Sequence, residues 1–230
     1  MSCAGGPDLI TDNMVLSVDF CNRNSYAVGS SNYYNGVTKQ YVGGVGGGTY
    51  STKYNGSLTY GLGNYFDGPA LSTFGIANNF TINLFFEWIS GTGPNVSMLI
   101  ASEVYNTNGF RCGLDPVNNR LYFWSVESGG NFLLISPNGT CQTGPNPFYV
   151  TISFNSSTGT AKIYKNGILL ASQTGATLIA PTQSYFRVNE TLNGTSASII
   201  IGHLSMYNRE LSELQVLQNY RNLKSRFRLT

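Results

Sequence analysis

The stretch that decides the fold is Phe80–Trp88, "FTINLFFEW". Phe80, Ile82, Leu84, Phe86 and Trp88 fall on one side of an alternating pattern, and Thr81, Asn83, Phe85 and Glu87 on the other. A helix would group residues three and four apart. A period of two over nine residues specifies a strand with one face in a core. "FYVTISF", residues 148–154, repeats it, with Phe148, Val150, Ile152 and Phe154 inward. "TAKIYKNGILLAS" reads as a hairpin, because Asn166-Gly167 supplies the two positive-φ residues of a type I′ turn. "RLYFWSV" (120–126) and "ASIIIGHLSMY" (197–207) read as further strands, with Trp124 assigned to the core. Clusters such as "SGTGPN" and "NGTCQTGPNP" mark turns, and "GGVGGG" (43–48) reads as a flexible loop between early strands. Many short strands and no helical period before residue 210 predict an all-β, two-sheet antiparallel β-sandwich.

One segment breaks the pattern. In "ELSELQVLQNYRNLKSRF", residues 210–227, Ser212 and Gln215 form a capping box, and Leu211 with Val216 a hydrophobic staple. Glu213 sits in the first turn, where the helix dipole favours an anion. Leu214, Leu217, Tyr220, Leu223 and Phe227 recur at helical steps and predict an apolar face that must cover something. The chain thus divides into a leader or anchor at 1–14, a sandwich with its terminal helix at 15–220, and a basic tail at 221–230.

Composition narrows the function classes. Charged residues are only 10% of the 230, so the surface is built of Asn, Ser, Thr and Gly, which suits packed assemblies or sugar ligands. Residues 1–208 carry 8 Lys/Arg against 9 Asp/Glu, and residues 209–230 carry 5 against 2. Without a basic stripe over the body, no nucleic-acid partner is expected. No run of 18 apolar residues occurs, so no membrane span is expected. The opening "MSCAGGPDLITDNMV" has neither the basic nor the apolar region of a signal peptide, so synthesis in the cytoplasm with reduced thiols is expected. Cys3, Cys21, Cys112 and Cys141 lack the close pairing of a zinc site.

Five segments carry a resemblance. "MYNRELSELQVLQNY" is similar to the end of concanavalin A-like lectin/glucanase domains of the laminin-G-like type, where a last strand runs through Tyr-Asn-Arg and Leu-Ser into a short helix. "NGSLTYGLGNYF", "FTINLFFEW" and "PFYVTISFNSSTGTAKIYKNGILL" resemble strands of the same domains, in order. The opening "PDLITDNMVLSVDFCNRNSY" resembles versions found in virion proteins of tailed bacteriophages. The resemblance implies a concanavalin A-like jelly roll on an exposed capsid decoration, neck or tail appendage. It implies capsid, neck or tail subunits as partners, a homo-oligomer as an option, a location on the virion surface after synthesis in the host bacterial cytoplasm, and a host cell-surface glycan as ligand. A free lectin is the alternative reading, and a glycoside hydrolase the third.

The sequence also departs from the family. Tyr60-Gly61-Leu62 and Gly63-Asn64 stand where relatives often carry acids, so neither calcium nor another cofactor is expected, and no metal ligand is assigned. Among the acids up to Glu190, only Asp8 and Asp12 share a strand-like spacing, so the paired carboxylates of a retaining hydrolase are not visible and no catalytic residue is assigned. His203 is the single histidine and reads as a structural residue on a polar sheet face, near Ser205 and Tyr207. Sugar recognition wants aromatic faces and planar amides. Turn segments offer Tyr105, Asn106, Asn108, Asn118, Asn119 and Asn131 for it. For contact with an acidic subunit surface, the tail offers Arg221, Lys224, Arg226, Phe227 and Arg228.

Overall fold

The computed structural model describes residues 9–91, 97–104, 108–127, 130–189 and 197–227. The early strands are β1 (Met14–Asp19), β2 (Asn32–Tyr34), β3 (Tyr41–Gly44), β4 (Thr49–Ser51), β5 (Ser57–Tyr60) and β6 (Phe66–Pro69). The long central elements follow as β7 (Asn79–Gly91), β8 (Ser97–Val104), β9 (Asn108–Asp115), β10 (Arg120–Glu127) and β11 (Gly130–Ile135). The chain closes with β12 (Phe148–Asn155), β13 (Thr160–Lys165), β14 (Ile168–Gln173), β15 (Tyr185–Val188), β16 (Ala197–Tyr207) and helix α1 (Glu213–Phe227). One sheet runs β14-β13-β12-β7-β16-β5-β4 with β1 also on β16; the other runs β11-β10-β9-β8-β15-β6. All pairings are antiparallel, and a small β2-β3 hairpin stands apart. This is the predicted two-sheet sandwich with one C-terminal helix.

The inward sides of β7 and β12 are the expected ones. Phe80, Ile82, Leu84, Phe86 and Trp88 join Phe148, Val150, Ile152 and Phe154 in the core between the sheets. Aromatic contacts bridge the layers: Phe80 stacks on Phe110 at 4.6 Å, and Phe123 on Phe154 at 6.4 Å. Such offset ring pairs add to the burial of their area. Asn166 (φ 53°) and Gly167 (φ 78°) make the β13–β14 turn as the sequence requires. The thiols of Cys112 and Cys141 are buried in this core, unbonded, and burial pushes that of Cys141 up to about 12.

The glycine run is not a loose loop. Gly43 and Gly44 end β3, Val45 is buried, and Gly46 and Gly47 turn the chain with positive φ. A Cβ on Gly46 would sit 1.6 Å from the Tyr65 carbonyl oxygen, and one on Gly43 1.9 Å from that of Asp67. The run is glycine because the early hairpin presses its backbone onto that of β6.

Helix α1 lies on the outer face of the eight-stranded sheet. The capping box forms in both directions: Gln215 N donates to Ser212 Oγ (3.3 Å), and Ser212 N to Gln215 Oε1 (3.0 Å). Leu211 and Val216 share one apolar cluster, as a staple should. Phe227 stacks on Phe85 with ring centroids 3.8 Å apart, and Tyr220 meets Tyr149. Gly202 on β16 makes room, since a Cβ there would lie 2.6 Å from Phe85 and 2.8 Å from Phe227. The apolar face differs from the predicted one at its start. Leu214 is 78% exposed, because Val216, Asn219, Tyr220, Leu223 and Phe227 form the buried side. The helix also runs to Phe227, so the boundary expected at 220/221 falls inside it. Among the described residues no helix is long and apolar enough to cross a membrane.

Buried Asn219 ties three parts of the chain together. Its Oδ1 accepts from Ile10 N (2.9 Å), its Nδ2 donates to Tyr207 Oη (3.0 Å), and Tyr207 Oη donates to Ile10 O (2.7 Å). At the other end of the helix, Arg226 grips both oxygens of Asp19, and Asn55 Nδ2 donates to Arg226 O at 3.0 Å. Residues 9–10, expected in a leader, therefore pack as part of the sandwich.

His203 sits under this seam, opposite Asp19 in the strand register and 6.4 Å from the Phe227 ring. It does share its sheet face with Ser205 and Tyr207, but that face is buried by the helix. Burial lowers its pKa to about 4; the Asp19 charge opposes the shift and Arg226 reinforces it. Asp19 is held by Arg226, so no charge relay to the imidazole forms.

Two expectations follow. Phe227→Ala removes the ring that seats the helix and lowers stability by about 3 kcal/mol, measured by chemical denaturation. His203 binds its proton more weakly folded than unfolded, so its neutral form stabilises the fold above the ordinary value near 6.5, and that contribution is lost as pH falls towards 4. The melting temperature should drop over that window, and His203→Gln should flatten the drop, by an amount equivalent to at most about 3 kcal/mol.

Candidate functional site

With one outer sheet face covered by α1, the outer face of the six-stranded sheet is where side chains stand clear of the core. Alternation in β10 sends Leu121 and Phe123 into the core and Tyr122 and Trp124 outward. The register places Trp124 between Arg111 of β9 and Leu133 of β11, and Tyr122 between Gly113 and Ile135. The result is a cleft of about 320 Å³, lined by Arg111, Asp115, Arg120, Tyr122, Trp124, Leu133 and Ile135. Its floor is apolar: Tyr122, Trp124 and Ile135 pack as a cluster of their own, and Leu133 is 46% exposed.

The polar rim is ordered by strand pairing and by one turn. The Arg111 guanidinium lies 4.1 Å from the Trp124 ring centroid, a cation–π contact set by their cross-strand register. Asp115 ends β9. Its Oδ1 accepts from Val117 N (3.0 Å) and Asn118 N (3.2 Å), and its Oδ2 from Asn118 Nδ2 (2.9 Å) and Arg120 Nε (2.8 Å). Burial pushes the Asp115 carboxyl up, but the hydrogen bonds from Asn118 and Arg120 outweigh it and hold the group below its usual range. Asp115 therefore stays ionised and orients Arg120. Further along the same sheet, the Arg187 guanidinium lies between the rings of Tyr65 (4.3 Å) and Tyr185 (4.5 Å).

The sequence-derived glycan candidates meet this face only in part. Tyr105 and Asn106 lie outside the described residues. Asn108 is buried and bonds Thr182 through both ends of its amide, so it is a packing residue. Asn118 reaches the rim as the clamp on Asp115. Asn119 turns the chain at φ 53°, and its carbonyl accepts from Cys141 N. Asn131 is exposed on β11, on the same side as Leu133. Trp124, assigned to the core from sequence, belongs to the cleft floor instead. The missed signal is in "RLYFW": its period of two sets Arg120, Tyr122 and Trp124 on one face.

The tail candidates divide similarly. Arg221 and Lys224 are exposed on the helix. Phe227 is buried and Arg226 is paired with Asp19, so these two hold the fold rather than a neighbour. Arg228 lies outside the described residues.

Glu87, on the other sheet, and Tyr54 are engaged in structural contacts. Glu87, 4% exposed, lies with its Oε2 2.6 Å from Lys53 Nζ and also accepts from the Tyr54 hydroxyl. Burial, then the Glu87 contact, raises the Tyr54 phenol, the opposite of an activated nucleophile. This pair holds Tyr54 in a left-handed conformation (φ 57°) costly for a bulky residue. Among the described residues no three His, Cys, Asp or Glu side chains converge.

No family model matches the chain, and no curated protein is similar to it in sequence. Solved structures are. The receptor-binding domain of botulinum neurotoxin type G superposes with a TM-score of 0.69 at 16% identity, over 90% of this chain and 51% of that one. The binding domain of Paraclostridial mosquitocidal protein 1 gives 0.72 at 14% identity, over 91% and 52%. Trypanosoma rangeli sialidase in complex with sialic acid gives 0.70 at 15% identity, over 98% and 35%. The chain thus spans about half or a third of the length of these proteins. At such identities the likeness is one of fold, and the fold shared is the two-sheet β-sandwich.

Proposed function

We propose that this chain is a non-enzymatic, lectin-like module that binds carbohydrate in the Trp124 cleft. The observation that carries the reading is the cleft's division of labour. Tyr122, Trp124, Leu133 and Ile135 offer an apolar bed for the C–H face of a sugar ring, and Arg111 and Arg120 stand at its rim for hydroxyls. The non-enzymatic part is supported by the state of the ionisable groups: Glu87 is buried in an ion pair, Asp115 is saturated by four hydrogen bonds, and His203 lies beneath the helix. That two of the similar structures are a receptor-binding domain and a binding domain supports recognition as the task.

The same proposal sets the module on a tailed-phage particle, as a capsid decoration or a neck or tail appendage, made in the host cytoplasm and exposed to host surface glycans. Its support is the resemblance of residues 7–26 to such virion proteins, beside the resemblance of residues 206–220 to concanavalin A-like domains in general. Arg221 and Lys224 remain available for an acidic neighbouring subunit or a second copy. No cofactor or metal enters this reading. A free lectin is the alternative setting for the same cleft.

A glycan array on the isolated chain should show selective binding, and Trp124→Ala should weaken it by at least about tenfold while leaving the fold intact. Release of reducing sugar from polysaccharide would instead establish a hydrolase. Mass spectrometry of purified particles should find the chain in stoichiometric amounts; its absence from them would leave the free lectin.

A further inference from the structure

Arg120 carries the next step, which rests on the carbohydrate reading of the cleft. Its Nε is committed to Asp115 Oδ2, and among the described residues no hydrogen bond is made by its Nη1 and Nη2. Asp115 is itself fixed by the two backbone N–H groups and the Asn118 amide of the β9–β10 turn. The guanidinium is thus held by one edge from a rigid turn, with its two-pronged end left over on a side chain that lines the cleft. A neutral hydroxyl engages one prong. Two coplanar anionic oxygens engage both, at roughly twice the strength of a neutral hydrogen bond. Because Asp115 already accepts four hydrogen bonds, the rim offers an anion a pre-oriented fork rather than an unshielded carboxylate. Arg111, over the Trp124 ring at 4.1 Å, adds a second guanidinium to the same wall.

We propose that the cleft selects sugars bearing an anionic group, a carboxylate or a sulfate ester, which docks on Nη1 and Nη2 of Arg120 while the apolar face of the ring rests on Tyr122, Leu133 and Ile135. Arg120 then sets specificity, and Trp124 with its neighbours supplies the affinity common to all ligands.

The test uses three oligosaccharides with one backbone: neutral, carboxylated at C6, and sulfated at O6. Titration calorimetry on the wild-type chain should show the charged forms binding about tenfold or more tighter than the neutral one, the size of one charge-assisted hydrogen bond. Whichever charged form leads identifies the anion. Arg120→Met should abolish the preference, bringing the charged ligands down to the neutral one, whose own loss is the smaller because a hydroxyl engages a single prong. Arg120→Lys keeps the charge but not the fork and should recover only part. Raising salt on the wild-type protein, which needs no variant, should weaken the charged ligands alone. Equal wild-type affinity for all three, or a neutral affinity that falls as far as the charged one in Arg120→Met, overturns the selection and leaves the carbohydrate reading standing. Absence of binding to every saccharide overturns both.

Discussion

The seating of α1 on the eight-stranded sheet governs what this molecule can do. The inward side of β7 fills the sandwich, and on its outer side Phe85, set among Thr81, Asn83 and Glu87, stacks on Phe227. Phe85, Tyr149 and Ile200 together make an apolar patch on the outer face of the sheet, and Tyr220, Leu223 and Phe227 of the helix cover it. With that patch covered, the opposite sheet turns its outer face to solvent. The placement of the Trp124 cleft follows from that asymmetry.

The seam beneath the helix shows how a chain with few charges uses them. Asp19–Arg226 pins the helix's C-terminal end, Lys53–Glu87 ties to β7 the turn whose Asn55 bonds Arg226 O, and Asn219 replaces an apolar residue in the middle of the helix's buried face. Partly buried ion pairs of this kind contribute little net energy, since desolvation offsets attraction. Their effect is positional: an apolar helix face can slide on a sheet, whereas Asn219 can satisfy Ile10 and Tyr207 in one register only.

Much of the fold was legible in sequence because strand alternation and turn chemistry are local. "FTINLFFEW", the Asn166-Gly167 turn and the Ser212 capping box each declare themselves within a few residues. What escaped depends on partners distant in sequence. The "GGVGGG" run reads as slack until Tyr65 and Asp67 are seen to fill the space of the missing side chains. Leu214 has the right spacing for the buried face, but Asn219 belongs there and rotates the face away from it. The candidate site was legible to the extent that turns after β8, β9 and β10 were singled out. Asn118 was found, yet the floor was not, because a tryptophan in a strand looks the same whether it faces a core or a cleft. Two pairings decide it, Trp124 with Arg111 and Trp124 with Leu133, and both are products of the sheet register.

The position of β16 has a bearing on how the molecule comes into being. This strand lies in the interior of its sheet, flanked by β7 on one side and by β5 and β1 on the other, although it is the last strand of the chain. Ile10 meets Asn219 across 209 residues of sequence. Before β16 is in place the sheet is two half-sheets with a gap between them, and its keystone comes later in the sequence than every strand it joins. Such remote pairings close slowly. Until they close, the open edges of β7, β5 and β1 are exposed to other chains, so closure of this sandwich competes with aggregation.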